Sequence, residues 1–387
     1  MLRVLTLATL FPNHLRPTLG IFVERQTQAL GARDDVELRV VAPVGLPAWP
    51  LSLHPHYAPL RNLPARETWH GLQVYRPRYP VWPKLDVPGT ARRMAAALLP
   101  ALREIREEFP FDVIDAEFFW PDGPAAMRVA AALGVPFSVK ARGSDIHIWG
   151  VRPGVAEEIL AAAHAADGLI AVSAALKADM TALGMPEAKI RVHHTGIDHR
   201  MFKPGDRAAG KAALGVDGPL LAGVGALLPR KGHDLAIAAL KELPGATLII
   251  AGDGPDRARL EQLAREAGVA DRVRLLGPQP HAGLQVLFSA ADVMVLPTVS
   301  EGLANVWVEA LACGTPVVTS DVGGAPEVID RPEYGRLVPR DPPAIAAAIR
   351  ELLADPPAQA AVREGALRFN WERNSAELAA HLRGLVR

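Results

Sequence analysis

Apolar runs of four to six residues, each followed by a longer stretch of helical periodicity, recur along almost all of this 387-residue chain. That alternation admits few architectures. Parallel strands need a crossover between them, and a helix is what fills it, so the pattern predicts α/β layers on parallel sheets. In the first half, strands are expected at residues 4–8, 37–42, 74–77, 113–116, 137–140 and 168–172, with helices at 20–32, 90–108, 123–133, 155–166 and 174–183. The proline- and aromatic-rich stretch 43–88 reads mostly as loop, and a long irregular segment in a compact domain is usually functional or mobile. A second series of strands, at 220–224, 247–251, 273–276, 293–297 and 316–319, begins after Gly218. The expected domains are therefore 1–204 and 205–370, with 371–387 as a closing helix.

The chain is long enough for two ordinary domains, and 49% hydrophobic with 22% charged residues describes a globular protein with sizeable cores. A formal net charge of zero argues against bulk electrostatic binding to nucleic acid, so no nucleic-acid partner is expected. The single cysteine, Cys313, sits in an apolar run; it reads as a core thiol, forms no disulfide within the chain, and fits a reducing cytoplasm. The apolar start, residues 1–10, reads as the first buried strand and not as a signal peptide, and no run approaches the roughly 18 apolar residues of a membrane span.

Three segments carry chemistry. After the run 292–297 comes Glu301-Gly-Leu-Ala-Asn-Val-Trp-Val-Glu309, leading into a helix that ends on Gly314. Exposed amides at a helix start, around Leu303, Ala304, Asn305 and Val306, make an anion site. If helical throughout, the eight steps between the acids span about 12 Å and turn the side chain by roughly 80°. The two carboxylates then serve separate hydroxyl clusters with an anion between them, as a nucleotide-sugar requires; taken alone they fit equally an acidic helix start and a surface glutamate. Upstream, Gly223-Val-Gly225 follows a strand and precedes Arg230-Lys231. Leu228 occupies the sixth place of a G-x-G-x-x-G fingerprint and His233 follows Gly232, so neither a dinucleotide fingerprint nor a P-loop is present. The adjacent cations suit a diphosphate through charge-assisted hydrogen bonds, or form a solvated pair. In the first half, Arg142-Gly-Ser-Asp145 follows a strand, and arginine there stays protonated and serves as no base. It grips a phosphate or sugar oxygen, or forms a structural pair with Asp145.

The run Glu301 to Glu309 followed by Ala-Leu-Ala-Cys-Gly-Thr-Pro-Val-Val resembles the E-x7-E signature of retaining glycosyltransferases of family 4, which have the GT-B fold. The glycine turns at Gly223–Gly225 and Gly252-Asp-Gly254, and the loop running from Phe11 through Asn13 to Gly20, resemble that family's phosphate and acceptor loops in the same order. The resemblance implies two Rossmann-like β/α/β domains facing across a cleft, the last helix crossing back to the N-terminal one. It implies that Arg230 and Lys231 bind the donor diphosphate, with Gly20, Gly225 and the amides of Leu303–Val306 beside it. Glu309 would hold the ribose, Glu301 the transferred sugar, and backbone in 276–281 the base. Arg142, Asp145 and Asn13 would stand on the acceptor side. Many relatives have histidine where this chain has Arg142, which puts that position's family role in doubt.

The expected activity is retaining transfer of a sugar from a UDP- or GDP-sugar to a hydroxyl of a glycan, lipid-linked or small-molecule acceptor, in cell-envelope or exopolysaccharide assembly. No metal site and no D-x-D pair are evident, so metal independence is expected, the two cations replacing the ion. Rival readings are a GT-B epimerase, a non-catalytic nucleotide-sugar sensor and a glycoside hydrolase; the last has no use for a phosphate loop. Residues 90–109 alternate basic and apolar positions around Pro100, which reads either as a packed helix broken at the proline or as a peripheral contact with the inner face of a membrane.

Overall fold

Parallel pairing dominates both halves. The computed structural model describes residues 1–82 and 85–386, which divide into two units, Met1–Gly196 with Trp371–Arg387, and Ile197–Asn370. The division falls eight residues before the expected 204, because the residues after Gly196 bond into the second unit. Ile197 N–H donates to Phe369 O at 3.1 Å, Phe202 is buried against His281 and Phe288, and Ser289 Oγ donates to Lys203 O at 3.1 Å.

The first unit is built on β1 (Leu2–Leu7), β2 (Val36–Val41), β3 (Val44–Pro47), β4 (Arg66–Trp69), β5 (Leu72–Tyr75), β6 (Arg78–Val81), β7 (Val113–Ala116), β8 (Phe137–Ala141), β9 (Gly168–Ala171) and β10 (Ile190–Val192). Eight of these form one sheet, in the order β10-β9-β8-β7-β1-β2-β5-β4, and β3 pairs with β6 separately. All pairs are parallel except β4–β5, a hairpin turning on His70 and Gly71 with both φ angles positive, as a tight two-residue turn demands. Segment 43–88 is thus less irregular than its composition suggests: it holds four short strands. The helices are α1 (Ile21–Gly31), α2 (Thr90–Glu108), α3 (Asp122–Leu133), α4 (Val155–Ala165) and α5 (Ala174–Ala182). Pro100 does not break α2. It lies on the exposed side with Ala96, where water serves the carbonyl that a proline leaves without its N–H. The stripe Met94, Leu98, Leu102 and Ile105 is buried, so the packed-helix reading of 90–109 holds and that face is not available to a membrane.

The second unit has β11 (Leu220–Val224), β12 (Thr247–Ala251), β13 (Val273–Gly277), β14 (Val293–Leu296), β15 (Val317–Ser320) and β16 (Gly335–Val338) in the order β13-β12-β11-β14-β15-β16, all parallel. Counted within the unit this is 3-2-1-4-5-6, the doubly wound order of a Rossmann-like domain. Its helices are α6 (Arg207–Ala213), α7 (His233–Ala239), α8 (Arg257–Glu266), α9 (His281–Ala290), α10 (Asn305–Ala312), α11 (Ala325–Val328), α12 (Pro342–Ala354) and α13 (Gln359–Leu367), and the last helix, α14 (Trp371–Arg383), belongs to the first unit. Both sheets carry a point where the strand order reverses, between β1 and β7 and between β11 and β14. Ligands of open α/β sheets bind outside the carboxyl ends of strands at such points, and the chemistry-bearing residues gather there.

Candidate active site

In the second unit, β11 delivers Gly225 and β14 delivers the loop 297–304. The turn Pro229–Lys231 docks on that loop: Val299 N–H donates to Arg230 O at 2.8 Å, and Thr298 Oγ1 donates to the same oxygen at 3.1 Å. Gly232 closes the turn with φ +72°, and a Cβ there would lie 2.2 Å from Pro297 O, so only glycine brings the two segments this close. The docking places Arg230, Lys231 and Glu301 together. Glu301 Oε1 accepts from Lys231 Nζ and from Thr298 Oγ1 at 3.1 Å, with Arg230 Nη1 at 3.7 Å. Among the described residues Oε2 of Glu301 has no recorded partner, and the side chain is partly open.

Helix α10 begins at Asn305, after Ala304 and with no side-chain cap. Trp307 N–H donates to Ala304 O at 3.1 Å, so the amides that precede it in the first turn are the ones that face a ligand. Gly302, Leu303 and Ala304 are buried and non-helical, and Asn305 and Val306 are half-buried. The helical spacing expected between the glutamates does not hold: Glu301 precedes the helix, and Glu309 sits one turn inside it. Glu309 is buried, with its Oε1 3.7 Å from His281 Nε2 at the start of α9. Gly225 lies over the imidazole of His233, which is buried at the head of α7. Burial, then Lys231, pushes that histidine down to about 4, so the ring is neutral beneath the glycine turn. Sequence reading used His233 only to reject a P-loop. Cys313 is buried and pushed up to about 12 by burial, an inert core thiol as expected.

In the first unit, Gly20 precedes α1 with φ +66°, and a Cβ there would lie 2.1 Å from Leu10 O. Asn13 turns its Oδ1 back on its own loop, accepting from Leu15 and Arg16 N–H at 3.0 and 3.1 Å. Asp145 does not orient the Arg142 side chain. It is buried and accepts from the amides of Phe119 (3.1 Å), Arg142 (3.0 Å) and Gly143 (2.8 Å), which fixes the turn. The guanidinium of Arg142 goes to Glu117 instead, Nη2 to the carboxylate and Nε to the backbone oxygen at 3.1 Å. It lies 4.8 Å from the Phe22 ring centroid.

Glu117 also accepts from Gln26 Nε2 on α1 and, at 3.2 Å, from Lys140 Nζ on β8. Lys140, Glu117 and the neighbouring Asp115 are all buried. Burial works to raise the Glu117 carboxyl, but Lys140 and Arg142 outweigh it and hold it low; burial and the charge of Glu117 raise Asp115. A buried charge persists only when paired, and here one carboxylate serves two cations at the carboxyl ends of β7 and β8. None of Gln26, Asp115, Glu117 or Lys140 was singled out from sequence. The signal was present in charged residues inside uniformly apolar runs, Asp115 and Glu117 between Ile114 and Phe118, and Lys140 between Val139 and Ala141.

The first unit also holds a cavity of about 390 Å³ whose walls include Asn13, Arg76, Tyr79, Trp120 and Trp149, and none of the cluster's residues lines it. Arg76 is buried and donates to Pro12 O at 2.8 Å and to Glu67 at 2.6 Å. Among the described residues no group of three or more His, Cys, Asp or Glu is arranged to hold a metal ion.

Family comparisons agree with this division. Residues 21–200 match the family described as Glycosyltransferase Family 4, and residues 206–369 match Glycosyl transferases group 1. A D-inositol 3-phosphate glycosyltransferase of Mycobacterium tuberculosis is 41% identical over 219 residues, covering 52% of this chain and 45% of that protein; the match thus spans about half the length of such curated relatives. Among solved structures, a sucrose-phosphate synthase of Thermosynechococcus elongatus superposes with a TM-score of 0.82 at 24% identity, over 100% of this chain and 99% of that one. Anabaena Alr3699/HepE in complex with UDP-glucose superposes with a TM-score of 0.76 at 20% identity, over 99% and 100%. The fold is GT-B.

Proposed function

Because the chain belongs to the family 4, group 1 glycosyltransferases, we propose that it moves a sugar, with retention, from a UDP- or GDP-sugar to a hydroxyl of a glycan or lipid-linked acceptor in envelope or exopolysaccharide assembly. The observation that carries the reading is the convergence of Arg230, Lys231 and Glu301 at the switch point of the second sheet, beside the uncapped start of α10. A diphosphate there meets two cations and a helix dipole. The open Oε2 of Glu301 is left for hydroxyls of the transferred sugar, and Glu309 for the ribose.

Retaining transfer in this family lacks an obvious protein nucleophile, and the family resemblance supports a front-face displacement. The bond from the anomeric carbon to the diphosphate oxygen breaks, the acceptor oxygen bonds to the same face, and its proton passes to the departing diphosphate. Charge grows on the diphosphate as it leaves, so Arg230 and Lys231 act on the transition state as well as on binding. These cations take the place of a metal, and turnover is expected to be unchanged in EDTA.

Thermal shifts with UDP-, GDP- and ADP-sugars test the reading, followed by nucleotide release with acceptor present. A ligand at 100 times its Kd adds about 2.7 kcal/mol. A shift with one nucleotide class, lost in Lys231→Ala and Glu309→Ala, is expected. No shift with any of them counts against the donor site. A shift without nucleotide release identifies a sensor and not a transferase.

A further inference from the structure

Large apolar side chains exposed to solvent are scattered in the second unit, at Leu276, Val286, Val299 and Leu367 on separate segments. In the first unit Met1, Leu183 and Val192 stand apart, but others fall on neighbouring segments. Trp49, Leu51 and Leu53 stand on one exposed turn after β3 that packs against it; Trp82 and Leu85 follow β6, which pairs with β3 up to Pro47 and Val81, and Val151 precedes Gly154, whose Cβ position lies 2.8 Å from Pro88. Trp49 is 78% and Leu85 83% exposed, more than a packed surface leaves uncovered. Each segment also walls the aromatic cavity: Val44 and Gly45 on β3, His56 and Tyr57 after the turn, Trp82 itself, and Trp149 beside Val151. Single exposed apolar residues need no explanation, but a gathered set marks an interaction surface.

Charge decides what covers it. Residues 43–63 contain no aspartate or glutamate, nor do 12–20 or 148–154, while Arg16, Arg61 and Arg152 stand among them. The one carboxylate of the stretch 80–90, Asp86, is bonded to Arg93. The arginine of Arg152 lies 4.2 Å from the Trp149 ring centroid. Exposed tryptophans with leucines, cations and no free carboxylate form the chemistry of a membrane interface, where indoles settle at headgroup depth and arginines meet anionic lipid. Among the described residues no helix is long and apolar enough to cross a membrane, so contact of this kind is peripheral.

We propose that the surface formed by Trp49, Leu51, Leu53, Trp82, Leu85 and Val151 docks on an anionic phospholipid bilayer, bringing the mouth of the aromatic cavity to the headgroup region. The use of that placement, an acceptor carried in the bilayer, rests on the transferase reading; the docking itself does not. Buried apolar side chains and arginines near anionic headgroups add their contributions to such binding, so removing one tryptophan and two leucines is enough to control it.

The test is co-sedimentation of the full chain with vesicles of phosphatidylglycerol and phosphatidylcholine, and with phosphatidylcholine alone. Binding to the anionic vesicles is expected, weakened by salt and by omission of phosphatidylglycerol. The triple change Trp49→Ser, Leu51→Ser, Leu53→Ser should cut the bound fraction at least tenfold while thermal melting and the UDP-sugar shift stay as in the parent chain. Absence of the parent chain from the anionic pellet overturns the proposal, as does a triple variant that pellets equally well. Self-association without vesicle binding, abolished by the same triple change, assigns the surface to a second copy and also overturns it. Loss of the UDP-sugar shift in every form, with vesicle binding intact, would fault the transferase reading alone.

Discussion

Glu117 sets what Arg142 can do. Its carboxylate is 1% exposed and shared between Arg142 and Lys140, so the arginine is held with its fork already oriented. Removing one partner of a buried pair leaves an uncompensated charge and typically costs 3–5 kcal/mol. Lys140 still pairs Glu117 in Arg142→Ala, so that variant is expected to lose less stability than this while turnover falls, whereas Arg142→Lys keeps the charge beside Glu117 and loses the planar fork. Urea melts should place Arg142→Lys within about 1 kcal/mol of the parent, with turnover down at least tenfold. Equal turnover in that variant would remove Arg142 from the reaction. A second buried acid gives a pH dependence. Asp122 accepts from Thr9 N–H at 3.0 Å, and burial pushes its carboxyl up to about 7 from a usual 3.8. The folded state keeps a proton that the unfolded chain releases above pH 3.8, so this contribution to stability is full below that pH and is lost as pH rises through about 7. Asp122→Asn, whose amide oxygen still accepts from Thr9, should flatten the fall in Tm between about pH 4 and 7. Parallel Tm–pH curves for parent and variant would show that Asp122 ionises as an ordinary carboxyl.

The turn Pro229–Lys231 and the loop after β14 act as one element because Gly232 lets them touch. Gly232→Ala adds the cost of a left-handed alanine, about 1 kcal/mol, to a Cβ 2.2 Å from Pro297 O. Gly245 has φ +75° and nothing within 4 Å of its Cβ position, so Gly245→Ala carries the conformational cost alone. The expected order in urea melts is parent, Gly245→Ala, Gly232→Ala, with donor binding weakened only in the last; a tie between the two variants would mean that the docking is slack. At this scale the strands were legible where both faces are buried: β7, β11 and β12 fall at the expected residues because uniformly apolar runs bounded by glycine or proline have few other uses. Of the strands in 43–88 only the one expected at 74–77 was, and it lies at β5, Leu72–Tyr75. Each of these strands is four residues long, β3 finds its partner β6 thirty-four positions away in register, and the β4–β5 turn is His70-Gly71 and not the Asn-Gly that announces a hairpin. The glutamate, lysine and arginine of the second unit were legible as a motif, but the helical geometry assigned to Glu301 failed because 301–304 is packed as loop. The Glu117 cluster was half legible: charged residues inside apolar runs marked its members, but a pairing across three elements leaves no periodicity in sequence.

Two crossings of the chain, at Gly196–Ile197 and Asn370–Trp371, join the units, and the second returns α14 to complete the first unit's core. Leu378, Ala379 and Leu382 pack with Val23, Leu30 and Val36. The polar bonds of α14 are equally specific. His381 Nε2 meets Ser138 Oγ at 2.9 Å, His193 Nε2 meets Asn374 O at 2.8 Å, and Asn374 Nδ2 donates to His194 O at 2.7 Å. Burial holds His381 down to about 4 and His193 down to about 3, so both rings are neutral partners at pH 7. Truncation after Asn370 removes three core side chains and leaves Ser138 and His193 without those bonds, each buried polar group left unpaired costing about 1–3 kcal/mol. Arg230, Lys231, Glu301 and Glu309 belong to the other unit. Hydrogen exchange should therefore rise across β1, α1 and β8 in the truncated chain while β11, β14 and α10 keep their protection, and the UDP-sugar shift should persist for the transition that belongs to the second unit. Uniform loss of protection in both units would mean that they fold as one cooperative body, with α14 holding the second unit as well as the first.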